Sequence, residues 1–289
     1  MKLAGGRDLF DRMMRIGRDC PAPLATIERV RKPSLAEFFA WKRRRQPLLI
    51  DGLSDDWPAR RLWTLEQLKQ RFGERRMAAI GTEDGSLQAN PDSGLPFTVL
   101  SFADYIDQLS QGQRPEHYLA APPDSWLPEM RDDYVVPEYC RDAAWRNSRF
   151  WLSAAGMATP LHRDVAENFF FQILGRKRFR LYPPVATPWL YSHPFGSALP
   201  NFSRFDPDNP DFERFPLARQ ARPITVELGP GDALYLPSRW WHQVRSLEVS
   251  ASINFWWANG GLALAVRAAE WVKRRRGHEI YSLTPAEVR

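Results

Sequence analysis

The chain has 289 residues, of which 44% are hydrophobic and 13% aromatic, with 40 Lys and Arg against 34 Asp and Glu. That length and apolar content supply one sizeable core or two modest ones and exclude a disordered chain, while the formal net charge of +6 admits an anionic partner. The first twenty residues carry no apolar run with a small-residue cleavage site, and no later run reaches the length of a membrane span, so a cytoplasmic protein that makes no membrane contact is expected.

In chain order, Ser34 with Glu37 three residues on is a capping-box signature that opens a helix, and Thr64 opens a second helical stretch ending near Arg76. Between them Gln46–Gly52 reads as a short strand closed by a turn. Residues 81–96, rich in Gly, Asp, Ser, Asn and Pro, favour a loop. Ser101–Leu109 aligns Phe102, Tyr105, Ile106 and Leu109 on one helical face. Residues 1–115 are therefore expected to form a mixed α/β region.

From Tyr118 the pattern changes to short apolar or aromatic runs punctuated by Pro and Gly: Arg149–Ser153, Asn168–Leu174, Arg178–Tyr182, Ala233–Leu236 and Val249–Trp257. This is the signature of a β barrel or sandwich. Residues 185–223 are proline-rich with little periodicity and read as a long ordered insertion across a barrel edge, where a substrate lid would sit. After Gly260-Gly261, the apolar spacing from Leu262 to Val272 predicts a helix stopped by Gly277, with a narrow stripe that packs on its own barrel or on a twin subunit. The runs Lys42–Arg45 and Lys273–Arg276 are either solvated helix faces or phosphate contacts.

Cys20 and Cys140 alone make neither a disulfide framework nor a thiolate cage, which leaves any metal to nitrogen and oxygen ligands. In Thr159-Pro160-Leu161-His162-Arg163-Asp164, His162 and Asp164 lie two apart, so on a strand both side chains face one way and Arg163 the other. His242, beyond the strand Ala233–Leu236 and the turn Gly229–Asp232, supplies a third donor. Two histidines and one carboxylate make the facial triad associated with non-haem Fe(II). Lys177 alternates with Phe179 and Leu181 on the apolar face of its strand. An inward ammonium is costly without a partner, and a dicarboxylate co-substrate would provide one; otherwise the side chain must reach past the strand edge to solvent. Gln172 shares a strand face with Asn168 and Phe170, and either lines the site or is satisfied by backbone.

Four strings, T-P-L-H-R-D-V-A-E-N-F-F-F-Q-I-L-G-R-K-R-F, D-N-P-D-F-E-R-F-P, G-P-G-D-A-L-Y-L-P-S-R-W-W-H and I-N-F-W, resemble in order and spacing the JmjC-domain, cupin-like Fe(II)- and 2-oxoglutarate-dependent hydroxylases. That family includes a protein asparaginyl hydroxylase acting on a hypoxia-inducible factor and a tRNA wybutosine hydroxylase. The resemblance spans about Tyr118 to Trp257. It implies a mainly β fold with flanking helices, namely a double-stranded β-helix (jelly-roll, cupin) catalytic domain over 116–260, an N-terminal α/β region over 1–115 packed on it, and a C-terminal helical segment over 261–289 available for homodimerisation. It further implies iron held by His162, Asp164 and His242. The distal carboxylate of 2-oxoglutarate would be held by Lys177, Thr159 and Tyr118, with Asn168 and Asn254 beside the metal-bound end. Arg163 and Val165-Ala166-Glu167 depart from the family pattern near the substrate mouth. The implied activity is hydroxylation of a carbon on a protein or peptide side chain; an RNA-modifying hydroxylase is the alternative drawn from the basic runs, and a non-catalytic cupin-like binding module is the third reading.

Overall fold

The computed structural model describes residues 26–275 of the protein. Fourteen strands run along it: β1 Glu28–Arg31, β2 Leu48–Asp51, β3 Arg76–Glu83, β4 Ser86–Leu87, β5 Phe97–Ser101, β6 His117–Ala121, β7 Trp145–Ser153, β8 Ala158–Arg163, β9 Glu167–Leu174, β10 Lys177–Tyr182, β11 Ile224–Leu228, β12 Ala233–Leu236, β13 Trp241–Ser246 and β14 Ser250–Ala258. The helices are α1 Leu35–Lys42, α2 Ala59–Leu62, α3 Leu65–Phe72, α4 Phe102–Ser110, α5 Pro123–Trp126, α6 Glu138–Arg141 and α7 Gly260–Arg275. Hydrogen-bonded neighbours follow the order β1-β2-β12-β9-β14-β7-β6-β3-β4-β8-β13-β10-β11, with β5 beside β3. The chain crosses between the two sheets at the β7–β8, β8–β9, β9–β10, β11–β12, β12–β13 and β13–β14 connections, and β3 runs from one sheet into the other. Two facing sheets linked in this way form the expected double-stranded β-helix.

Alternation decides what fills the barrel. In β10, Lys177, Phe179 and Leu181 are buried while Arg178 and Arg180 stay partly exposed. In β9, Phe170 faces inward and meets Phe179 with ring centroids 4.9 Å apart, whereas Phe169 and Phe171 face outward against Phe38, Trp57 and Tyr235. The outer face of the larger sheet is therefore covered by α1 and by the segment leading to α2. Local signals place these helices as read: Ser34 and Glu37 make a reciprocal capping box on α1, and Thr64 and Ser101 cap α3 and α4. The buried Asp133 accepts from Trp63 Nε1 at 2.8 Å and from both terminal nitrogens of Arg71, tying α2 and α3 to the 3-10 helix Pro128–Asp133.

The structure corrects the sequence reading in two places. The loop expected at 81–96 begins inside β3 and contains β4. The helical stretch expected to end near Arg76 ends at Phe72, and Arg76 opens β3. β3 escapes detection because Met77, Ala78, Ala79 and Ile80 are all buried, one face toward the barrel and one beneath flanking structure, which erases alternation. His242 follows the strand Ala233–Leu236 as read, and it lies within a further strand, β13. The helical stop expected at Gly277 lies outside the described residues.

The β9–β10 connection depends on Gly175. Its φ is +64°, and a Cβ there would lie 2.1 Å from the carbonyl oxygen of Val249. Only glycine lets this connection lie so close to the start of β14, and so fixes where Lys177 begins the next strand.

The insertion between β10 and β11 holds two short 3-10 helices, Pro184–Trp189 and Pro216–Gln220, around a second apolar cluster that includes Leu190, Phe205 and Phe215 and packs on Leu161 and Trp241. Asp208 anchors it, accepting from Arg178, Arg180 and Arg245 on the outer faces of β10 and β13. The arginines that alternation turns away from the barrel are thus the ones that hold the insertion.

Candidate metal centre

His162 on β8 and His242 on β13 are direct cross-strand partners. Such partners face the same side of a sheet, and their rings meet with centroids 4.1 Å apart. Asp164 follows β8 immediately, with Oδ2 3.7 Å from His242 Nε2. Ligand atoms of His162, Asp164 and His242 all lie within 4.8 Å of one another, the only such grouping of metal-ligating side chains among the described residues.

Backbone geometry prepares the donors. Nδ1–H of His162 donates to the Pro160 carbonyl at 2.8 Å, and Nδ1–H of His242 donates to the Trp240 carbonyl at 3.1 Å. Both bonds fix a tautomer in which Nε2 keeps its lone pair for a metal. Burial, reinforced by neighbouring His162 and opposed by Asp164, pushes the His242 imidazole down to about 4, so it is neutral at ordinary pH. Trp256 Nε1 donates to Asp164 Oδ2 at 2.8 Å, orienting the carboxylate. Phe202 of the insertion stacks on the His162 ring at 5.0 Å.

Register explains Thr159 as well. Thr159 pairs with Val244 and His162 with His242, so between these pairs β8 has two residues, Pro160 and Leu161, where β13 has one, Gln243. The extra residue is a bulge that returns Thr159 to the face of His162, although strict alternation would send it outward. Leu161 and Arg163 take the other face, where Arg163 lies over the Trp241 ring at 4.6 Å and donates to Thr187 Oγ1 at 2.9 Å. Burial, with Arg239 second, lowers the Arg163 guanidinium to about 9.

Deeper in the barrel Lys177 is 0% exposed. Its Nζ donates to Tyr118 Oη at 2.7 Å and to Ser252 Oγ at 3.0 Å, and it lies over the rings of Tyr118 and Phe170 at 5.3 and 5.4 Å. No carboxylate among the described residues pairs with it. Asn254 Nδ2 donates to Asn168 Oδ1 at 3.0 Å, and Asn254 Oδ1 accepts from Trp151 Nε1 at 2.7 Å. Gln172 resolves to the backbone alternative: its Nε2 donates to the carbonyls of Leu174 and Gly175 at 2.6 and 3.0 Å, bracing the β9–β10 connection.

All eight residues singled out from sequence thus lie on strands lining one barrel or immediately after one. Ser252, Trp151 and the bonding role of Trp256 were not foreseen. The signal was present, since Ser252, Asn254 and Trp256 alternate on β14 and must share a face.

A second concavity, of about 1010 Å³, lies between α1, the segment 237–240 and the start of α7. Lys42, Arg43, Arg45 and Arg239 line it together with Glu167 and the apolar side chains of Phe39, Trp257 and Leu262. The first basic run is thereby placed beside the metal-bearing loop. In the second run, Arg275 lies over the Trp271 ring at 4.8 Å; the side chains of Lys273 and Arg274, and all of Arg276, fall outside what is described.

A jelly-roll barrel carrying two histidines and a carboxylate on adjacent strand positions defines a cupin-type protein with a facial triad. The chain belongs to the cupin-like domain family, whose model matches residues 35–261, and within it the relatives are JmjC-domain proteins. It is 34% identical over 244 residues to the lysine-specific demethylase 8 of Xenopus tropicalis, covering 80% of this chain and 53% of that one. It is 32% identical over 220 residues to the lysine-specific demethylase JMJ30 of Arabidopsis thaliana (74% and 50%), and 28% over 236 residues to the tRNA wybutosine-synthesizing protein 5 of Gallus gallus (74% and 71%). The chain spans about half the length of the two demethylases. Members of the JmjC family use Fe(II) and 2-oxoglutarate, and the His-Asp-His triad is of the kind that binds iron. Among the described residues no helix is long and apolar enough to cross a membrane.

Proposed function

We propose that this chain is an Fe(II)- and 2-oxoglutarate-dependent oxygenase that hydroxylates a carbon of a protein side chain. The observation that carries the reading is the pairing of two features in one barrel: three preoriented donors at one level, and at a deeper level a buried ammonium that has hydroxyl partners and no carboxylate. A metal fits the first, and the far carboxylate of a dicarboxylic acid fits the second.

In this reading His162, Asp164 and His242 hold the iron. Lys177, Tyr118 and Thr159 hold the distal carboxylate of 2-oxoglutarate, and Asn168 and Asn254 lie beside its metal-bound end. Bound iron supplies the oxidative decarboxylation of 2-oxoglutarate to succinate and CO2 that inserts one atom of O2 into a C–H bond. The chain's own contribution is orientation and dryness. Trp256 fixes the Asp164 carboxylate, the two backbone carbonyls fix the imidazoles, and the aromatic walls around Trp151, Phe170 and Phe179 exclude water. We assign 116–260 as the catalytic domain and the described part of 1–115 as a region that packs on it, and we propose that α7 pairs two copies in a cytoplasmic homodimer; residues 1–25 and 276–289 lie outside the described residues.

RNA modification is the second reading, favoured by the cluster of Lys42, Arg43 and Arg45 beside the metal loop and by the name of the chicken relative. Retention of a full donor set together with Lys177 speaks against a binding module without catalysis.

Incubation with Fe(II), 2-oxoglutarate and O2, in the presence of peptide pools or of tRNA, separates these readings. Substrate-dependent succinate release with one oxygen added to a peptide supports protein hydroxylation. If the site oxidises an N-methyl carbon, the product loses formaldehyde, which the same assay detects. Turnover of tRNA with inert peptides overturns the first reading in favour of the second.

A further inference from the structure

The basic concavity beside the metal loop is not used by the chemistry above. Trp256 and Trp257 are consecutive on β14, so one faces Asp164 and the other faces the concavity. The two sites are therefore back to back, separated by a single strand and by the loops that carry the ligands. Those loops are shared: Arg239 N–H donates to the Asp164 carbonyl at 2.8 Å, and Ser238 Oγ–H donates to the Val165 carbonyl at 2.5 Å. Whatever fills the concavity lies against the segment that presents Asp164.

Its charge is one-sided. Four cations, Lys42, Arg43, Arg45 and Arg239, face one carboxylate, Glu167. Glu167 is already engaged, accepting from Tyr235 Oη at 2.6 Å and from Ser238 N at 3.3 Å while Lys42 Nζ lies 3.0 Å away. Arg43 and Arg45 stand exposed at the rim, while Arg239 is buried at the base and repelled by Arg45. Beyond the Lys42–Glu167 pair, the two exposed guanidinium groups of Arg43 and Arg45 thus set the charge of the rim.

Shape selects among anionic ligands. Trp240 and Trp257, which form the floor, are 2% and 1% exposed, so they offer no ring faces on which nucleobases could stack. A bounded hollow with an apolar floor, half-exposed Phe39 at its edge and guanidinium groups around it suits a short segment of carboxylate and apolar side chains.

We infer that this concavity is a docking site for an acidic segment of the polypeptide substrate, remote from the carbon that reacts. The inference rests on the protein-substrate reading and narrows it to substrates with aspartate or glutamate flanking the target. Binding at such a distance serves to position the reacting residue, since energy from non-reacting parts of a substrate is what holds the reacting part in place.

The test is fluorescence anisotropy on the full chain with three probes: a labelled ten-residue peptide of alternating Glu and Leu, its Lys-for-Glu counterpart, and a labelled twelve-nucleotide oligouridine. Wild type is compared with Arg43→Glu/Arg45→Glu, both exposed rim residues outside the metal centre. Folding is checked by the Fe(II)–2-oxoglutarate absorption band. The acidic peptide is expected to bind, its basic counterpart not to bind, and the double variant to weaken binding by about tenfold or more. Equal binding of the acidic peptide to wild type and variant would overturn the site while leaving the protein-substrate reading intact. Binding of oligouridine without binding of the acidic peptide would overturn both, and no binding of any probe would overturn the site.

Discussion

Replacing Lys177 with methionine tests whether this buried cation is there for the fold or for a ligand. In the ligand-free protein two effects oppose each other. Burying an ammonium costs several kcal/mol, and its hydrogen bonds to Tyr118 and Ser252 return about 1.5–3 kcal/mol each. Methionine fills nearly the same volume and removes both effects, so stability should change by no more than about 2 kcal/mol in either direction. Co-substrate binding should respond very differently. Loss of one partner from a buried ion pair costs about 3–5 kcal/mol, which corresponds to roughly a hundredfold to several-thousandfold weaker 2-oxoglutarate binding. Anaerobic thermal melts with Fe(II), across a 2-oxoglutarate titration, read both quantities together, because a ligand that binds only the folded state raises the melting temperature with concentration. Lys177→Met should melt close to wild type without 2-oxoglutarate and gain little from adding it. A variant that is sharply destabilised on its own, yet still stabilised by 2-oxoglutarate as wild type is, would refute the assignment and make Lys177 a structural cation.

Asp208→Ala removes the one carboxylate on which Arg178, Arg180 and Arg245 converge, and should cost about 1–3 kcal/mol in urea denaturation given the partial exposure of the pairs. It should also open residues 185–223 to limited proteolysis, whereas an unchanged digestion pattern would show that the apolar cluster alone holds the insertion. Burial pushes the Cys140 thiol up to about 12, so it remains protonated at pH 8; in a Cys20→Ser background, Ellman's reagent should react only after denaturant is added. For His242 the folded imidazole titrates near 4 and the unfolded one near 6.5, so between these values the unfolded chain binds a proton that the folded chain refuses. Metal-free protein should therefore lose about 3 kcal/mol of stability as pH falls from 6.5 to 4. Urea midpoints for wild type and His242→Gln should converge over that range, and parallel curves would contradict the shift.

Much of the site was legible because strands translate spacing into direction. His162 and Asp164, two apart, point one way; Lys177, Phe179 and Leu181 follow the same rule. The exceptions are equally physical. Thr159 reaches the interior only through the β8 bulge, which depends on a mismatch with β13 some eighty residues away and leaves no local trace. β3 is buried on both faces, so it has no period to detect. Tyr118 meets Lys177 because β6 and β10 close one barrel, and that closure came from family resemblance rather than from pattern. Ser252 and Trp256 were readable from alternation along β14, given Asn254 as the anchor. The basic run Lys42–Arg45 was open to two interpretations in sequence, since nothing local reveals that the end of α1 lies beside the loop carrying Asp164.

In the proposed function the barrel holds Fe(II) and 2-oxoglutarate together. The most direct measurement is the visible metal-to-ligand charge-transfer band formed when both are added to the purified protein under anaerobic conditions, with His162→Ala alongside. Wild type is expected to give a band that needs both additions and is absent from His162→Ala. Folded wild-type protein that gives no band, or a band that survives in His162→Ala, would contradict the proposed function.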